Sequence, residues 1–308
     1  MKLKKFVPLL LSLVTLFAFS VSAHASEPMS TRHEFQPFNE YDRLVSLQKS
    51  SPEELKEMGL TAQDVNTLTA QFETALAKRA ALPDSDLEAL GYTEKEIPLL
   101  HAYANGEKLS DAALRTVTGT CTGHITRYSF SSTPSYSTFS YGWEWDHCPL
   151  ITLSDAAAMK WFAYDSQGYE IDITKTFLQT EVNYYNDSQL YYTRSGTQQP
   201  NVAFNEVNLQ FPMIEKYVGD DDELHDAYAK DGEITVTVQV DSSVSNNVNY
   251  IKVAGLYGHT RVGIGSPTLS VGATLDNLSF SASPQLTIDS TGAAKAQIGP
   301  GTTFIDLL

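Results

Sequence analysis

A change of texture near Gly119 constrains this chain more than any other feature of its sequence. Up to residue 118, Leu, Ala, Glu and Lys recur at helical spacing. From Gly119 onward Ser, Thr, Tyr, Asn and Val alternate with a period of two. Periods of 3.6 and 2 present different faces to a core, so each pattern commits its region to one kind of element. Of the 16 tyrosines and three tryptophans, all but Tyr41, Tyr92 and Tyr103 fall in the second region. The sequence therefore predicts an α+β protein, with a small helical module over 26–118 followed by a mainly antiparallel β-sandwich over 119–308.

The strand signals are local and repeated. "AMKWFAYDSQGYEIDITKTF" reads as a strand, a turn at Asp165 to Gly168 and a returning strand, and "EVNYYNDSQLYYTR" repeats the plan around Asn186-Asp187-Ser188. "GEITVTVQVD" sets Ile234, Val236, Val238 and Val240 against Thr235, Thr237 and Gln239, the alternation of a half-buried strand. "NYIKVAGLYGHTR", "TLSVGATL", "NLSFSAS" and "QLTIDS" continue the series. Residues 224–231 read as one short helix.

The helical region contains an imperfect repeat. "LKEMGLTAQD" from Leu55 is answered by "LEALGYTEKE" from Leu87. Each copy supplies an apolar helix face, a glycine that ends the helix (Gly59, Gly91), and a threonine N-cap with an acid three residues on (Thr61 with Asp64, Thr93 with Glu96). A further start follows at Ser110 after Asn105-Gly106. The second copy, with its Leu90-Gly91-Tyr92 turn, resembles the three-helix pattern of ubiquitin-associated-like modules over about 30 residues. That resemblance implies a packing arrangement and no partner.

The first 25 residues read as a secretory signal peptide. Lys2, Lys4 and Lys5 precede the apolar run Phe6–Val21, and Ala23-His24-Ala25 offers a cleavage site, so the expectation is a secreted protein with no transmembrane segment after cleavage. Losing those lysines takes the formal charge from −16 to −19, which repels phosphate backbones and argues against nucleic acid as a partner. In an exported chain the only two cysteines, Cys121 and Cys148, are expected to pair. Chain entropy alone would make such a bridge worth about 3.5 kcal/mol.

Two stretches could carry binding chemistry. In "FSYGWEWDHCP", Phe139, Tyr141, Trp143 and Trp145 share one strand face. Tyr141, Trp143 and Trp145 are candidates for an exposed sugar platform, against the alternative that this face is core. In "GDDDELHDAYAKDGE", Asp220, Asp222 and Asp226 are candidate calcium ligands, against a solvated acidic loop. His259, beside Arg261 in a glycine-rich stretch, is a candidate anion-binding residue or base. Gly-x-Ser-x-Gly and His-Glu-x-x-His are absent, and Ser46-Leu47-Gln48-Lys49 lacks the partner motifs of Ser-x-x-Lys enzymes.

These features favour a secreted, non-enzymatic binding or surface-interaction protein, with a glycan or another cell-surface component as ligand and Ca²⁺ as the one cofactor its acids suit. The alternative is a sandwich hydrolase using acids such as Glu144, Asp146, Glu170 or Asp172. A more remote alternative is a pore-forming protein, since 266–290 alternates small polar and apolar residues. The helical region could also serve as a pro-segment cut near 110–120.

Overall fold

The computed structural model describes residues 31–260 apart from 35–36, 59, 133–134, 187–188, 196–204, 220–221 and 241–246, and beyond them five short strands. The architecture is α+β, as the sequence predicts. Strands β1 (Thr31–Glu34) and β2 (Phe38–Asn39) precede six helices: α1 (Glu40–Lys49), α2 (Pro52–Glu57), α3 (Ala62–Ala80), α4 (Asp84–Ala89), α5 (Ile97–Ala104) and α6 (Asp111–Val117). The remaining described elements are β3 (Thr120–Ser129), β4 (Tyr136–Trp145), β5 (Ser154–Tyr164), β6 (Glu170–Ile171), β7 (Ile173–Asn186), β8 (Gln189–Ser195), β9 (Glu206–Pro212), β10 (Ile214–Val218), β11 (Leu224–Val240), β12 (Tyr250–Thr260), β13 (Leu269–Val271), β14 (Phe280–Ala282), β15 (Ile288–Ser290), β16 (Ala294–Ile298) and β17 (Phe304–Asp306).

The helices start where side chains can satisfy their first N–H groups. Ser51 and Thr61 form reciprocal capping boxes with Glu54 and Asp64, and Ser110 caps α6. Gly91 turns the chain at φ +88°, a conformation that a Cβ would strain. Gly59 lies outside the described residues. In the second copy of the repeat the helix begins at Ile97, after the Thr93 N–H has bonded Glu96 Oε2 at 2.7 Å, so the box closes a turn ahead of α5. The module has its own apolar interior, including Leu47, Leu68, Leu76, Leu87 and Leu100.

Sheet A runs β1-β3-β4-β11-β7-β8, with β2 beside β3 and β10 beside β11; sheet B runs β17-β16-β12-β5-β6, with β15 beside β12 and β9 beside β5. The pairs are antiparallel. The two sheets enclose one core that takes Phe139, Tyr141, Trp143 and Trp145 from β4, Ile234, Val236 and Val238 from β11, Trp161 from β5 and Val253 from β12. The alternation predicted for β11 holds, with the even-numbered valines inward.

Two expectations are corrected. Residues 224–231 are not helical: they begin the 17-residue β11, where Leu224 to Tyr228 pair with β10 and Tyr228 also faces Tyr185 of β7. Thr31–Glu34 and Phe38–Asn39 do not belong with the helices but pair with β3, so the chain enters the sandwich before it forms the module.

Candidate functional site

Trp143, Trp145 and Tyr141 are fully buried. This corrects the expectation of an exposed platform: the aromatic face of β4 closes against sheet B. Trp143 stacks on Phe211 with ring centroids 5.4 Å apart, and the Trp145 indole N–H donates to Tyr257 Oη at 2.9 Å. Glycines opposite make the room. A Cβ on Gly255 would lie 1.9 Å from Tyr141 Cδ2, and one on Gly232 would lie 2.3 Å from Trp143 Cζ2. Large rings met by bare backbone fill a core and leave no space for a sugar.

The cysteines are likewise unpaired. Cys121 and Cys148 are both buried free thiols, which corrects the expected disulfide. Cys121 lies in the sandwich core, opposite Trp145 in register, whereas Cys148 sits beside α3, its Sγ 3.9 Å from Arg79 Nη2. Burial pushes the Cys148 thiol up to about 11 against the opposing pull of Arg79, so it is not a nucleophile at neutral pH. We expect a thiol reagent to count two thiols after denaturation and none in the native protein. A count of zero after denaturation would restore the disulfide.

His259 is the sequence candidate around which a constellation does form. It is buried on β12, its Nδ1 2.9 Å from Asp155 Oδ2 on β5 and its Nε2 3.3 Å from Glu40 Oε1 at the start of α1. Tyr257 Oη donates to the same Asp155 oxygen at 2.5 Å. Burial alone would lower the His259 pKa, but Asp155 and Glu40 outweigh it and hold the imidazole protonated up to about 10. Burial likewise opposes ionisation of Glu40, and the His259 cation together with the Leu150 and Ile151 N–H groups brings its pKa below the usual carboxylate value.

This constellation is a clasp between the helices and the sandwich. Residues 148–151 run between the layers, and two buried charged side chains satisfy their backbone. Glu40 accepts from Gly119 N (3.0 Å), Leu150 N (2.9 Å) and Ile151 N (3.2 Å). Arg79 donates to the carbonyls of Cys148 (2.9 Å) and Pro149 (3.0 Å) and to Tyr92 Oη (2.9 Å). Buried backbone groups need such partners where no strand supplies them. Asp155 and Glu40, absent from the sequence-derived candidates, carried no motif; only the fold brings them to His259.

The clasp borders a small apolar cavity lined by Phe38, Leu44, Leu47, Leu68, Phe72 and Ile151. No serine, threonine or cysteine contacts His259 among its described hydrogen bonds, and a cation held between two carboxylates cannot accept a proton. Two other histidines do not join it: His147 stacks on Tyr92, and His225 sits at the start of β11.

The remaining candidates scatter. Asp220 lies outside the described residues. Asp222 is in the turn after β10 at φ +61°, a value that aspartate tolerates, and Asp226 is 3.6 Å from Lys216 Nζ. No group of three or more potential metal ligands occurs among the described residues. Of the alternative acids, Asp146 accepts from Thr120 N and His147 N at 2.8 Å and Glu144 is exposed on β4. Glu170 and Asp172 border a cleft at the edge of sheet B. No described helix is long and apolar enough to cross a membrane, and most of 266–290 lies outside the described residues.

One exposed surface stands out instead. The β7–β8 and β10–β11 hairpins end side by side, joined where Asn186 Nδ2 donates to Asp226 O at 2.8 Å. Val218 and Leu224 face each other across the second hairpin and are 64% and 67% exposed. Leu190 and Tyr191 of β8 are also exposed. Tyr191 and Tyr217 have ring centroids 3.8 Å apart, and Tyr217 stacks on His225 at 5.6 Å.

No family model matches the sequence, and no curated protein matches it. Several solved structures show slight similarity, three of them as follows. One is AvmM, which catalyzes macrocyclization in alchivemycin A biosynthesis, at 10% identity and a TM-score of 0.24 over 60% of this chain and 91% of that one. The second is Clostridium perfringens delta-toxin, at 8% identity and a TM-score of 0.24 over 62% and 88%. The third is a pore forming protein, at 8% identity and a TM-score of 0.20 over 62% and 84%. These likenesses are too slight to inform fold or function.

Proposed function

We propose that this is a secreted, non-enzymatic surface-interaction protein that docks on a glycan-bearing cell surface through the tip of sheet A. The observation that carries this reading is the exposure of Leu190, Tyr191, Val218 and Leu224 at the ends of two hairpins that the Asn186–Asp226 hydrogen bond joins. Single exposed apolar residues are ordinary on a soluble protein, but four at the joined ends of two hairpins suit a contact face. Tyrosine suits such a face, offering a large rigid area and a polar end. The turn between the hairpin strands reads Gly-Asp-Asp-Asp-Glu over 219–223, so the tip disfavours anionic partners and suits neutral ones. A binding role also agrees with the closed surroundings of His259, and export rests on the leader-like first 25 residues.

The test is retention of the secreted protein on intact cells. Leu190→Ser combined with Leu224→Ser alters only exposed side chains, so stability is expected to change by less than about 1 kcal/mol. Retention is expected to fall about ten-fold or more, as when contact-centre residues are truncated. A folded double variant retained as well as the wild type would overturn the reading.

A further inference from the structure

We propose that the groove between α3 and residues 150–152 is a binding site for a free fatty acid, with the carboxylate at Lys78 and the acyl chain running back along the helix. The site shares no residue with the tip of sheet A and stands independently of the surface-interaction reading.

The groove exists because α3 carries two stripes. Val65, Leu68, Phe72 and Leu76 are buried in the interior of the module. Thr67, Ala70, Gln71, Thr74, Ala75 and Lys78 repeat at the same helical spacing beside them and line the groove. An ordinary amphipathic helix buries one stripe and gives the other to solvent. Here Leu150 and Thr152 stand opposite the second stripe as a facing wall, and the small side chains of Ala70 and Ala75 leave the space between open. The groove encloses ≈ 590 Å³, within the range of small-ligand sites. From Thr67 to Lys78 it follows the helix for about 16 Å, so it suits an elongated occupant.

The walls select the chemistry of that occupant. Thr67 and Thr74 donate their hydroxyls to Gln63 O (3.0 Å) and Ala70 O (2.7 Å) of their own helix, which spends those donors. With Ala70, Ala75, Leu82 and Leu150 they give the groove a mainly apolar course. Lys78 and Arg79 stand at its end near the C-terminus of α3, and no acid lines it among the described residues. That is an exception in a chain with 37 acids and 21 bases. Arg79 is fixed by its bonds to the carbonyls of Cys148 and Pro149, whereas Lys78 is exposed and makes no ion pair among the described residues. A carboxylate at this end meets two positive charges, and a cationic head would be repelled.

The far end is apolar. Gln71 is shared between the groove and the cavity of ≈ 40 Å³ lined by Phe38, Leu44, Leu47, Leu68 and Phe72. Glu40 and His259 border that cavity but face each other, Oε1 to Nε2, at 3.3 Å. Gln71 Oε1 is buried without a hydrogen-bond partner among the described residues. Swinging the side chain outward therefore returns that oxygen to water and opens the groove into the cavity for the end of a chain. A charged head, an apolar course and an apolar terminus make the polarity profile of one acyl chain with a carboxylate.

The experiment is calorimetric titration of the full mature chain with decanoate, with decanol and decyltrimethylammonium as neutral and cationic matches of the same chain length. Decanoate is expected to bind saturably, decanol about ten-fold more weakly, and the cationic amphiphile not at all. Lys78→Met keeps the apolar stem at an exposed position, so it should weaken decanoate about ten-fold and leave decanol unchanged in a protein of unaltered melting temperature. Ala70→Phe, also at an exposed position, fills the groove and should abolish binding of both. Gln71→Ala should bind decanoate at least as tightly as the wild type. Absence of saturable decanoate binding, a Lys78→Met or folded Ala70→Phe variant that binds it as tightly, or equal binding of decyltrimethylammonium would overturn the proposal.

Discussion

Replacing Glu40 with alanine is expected to destabilise the protein by about 3–5 kcal/mol, the cost of removing one partner from a buried charge pair. The variant would strip His259 of one of its two carboxylates and leave the N–H groups of Gly119, Leu150 and Ile151 without their acceptor. Chemical denaturation followed by both far-ultraviolet circular dichroism and tryptophan fluorescence measures the effect. A loss below about 1 kcal/mol, the range of exposed pairs, would show that the clasp is not buried as described. The clasp also sets a pH window. His259 is held protonated up to about 10, so its contribution is fully present below the ordinary histidine value of 6.5 and is lost as pH rises through about 10. Glu40 is shifted down, so its contribution is present above the ordinary 4.5 and lost as pH falls through its lower folded value. Stability conferred by the clasp is therefore expected to be greatest between about 4.5 and 6.5 and to fall toward both extremes. Substituting Glu40 should flatten both limbs.

Replacing Trp143 with alanine is expected to cost about 3–5 kcal/mol, the range for emptying a buried aromatic site. The ring stacks on Phe211, lies 5.6 Å from Tyr257 and fits against the bare backbone of Gly232. Its neighbours sit on both sheets, so collapse of the cavity would need the sheets to move together. Thermal melts of the variant check this. A stable Trp143→Ala protein that had lost a ligand would instead mean that the ring faces a binding site.

The sequence shows the two textures plainly because each element's period is local. Caps at Thr61 and Ser110 and the turn at Asp165–Gly168 were legible for the same reason: a few adjacent residues decide them. Local patterns could not say which face of β4 is core, because Tyr141, Trp143 and Trp145 would alternate identically on a platform. The discriminating signal lay 110 or more residues away in Gly255, whose missing Cβ makes room for Tyr141. The clasp was illegible for a stronger reason. Glu40, Asp155 and His259 come from three regions that only sheet pairing and helix docking bring together. The β11 start misled through composition, since "DELHDAYAK" spaces its apolar residues as a helix does, while pairing to β10 and β7 overrides that preference.

The contact face proposed for this protein is the tip of sheet A. Hydroxyl-radical footprinting of the mature protein, free and bound to glycan-bearing cells, tests it most directly. Protection of Leu190, Tyr191, Tyr217, Val218 and Leu224, with α3 unchanged, is the expected result. Protection confined to the helices, with these five side chains as reactive when bound as when free, would put the contact face on the helical module instead.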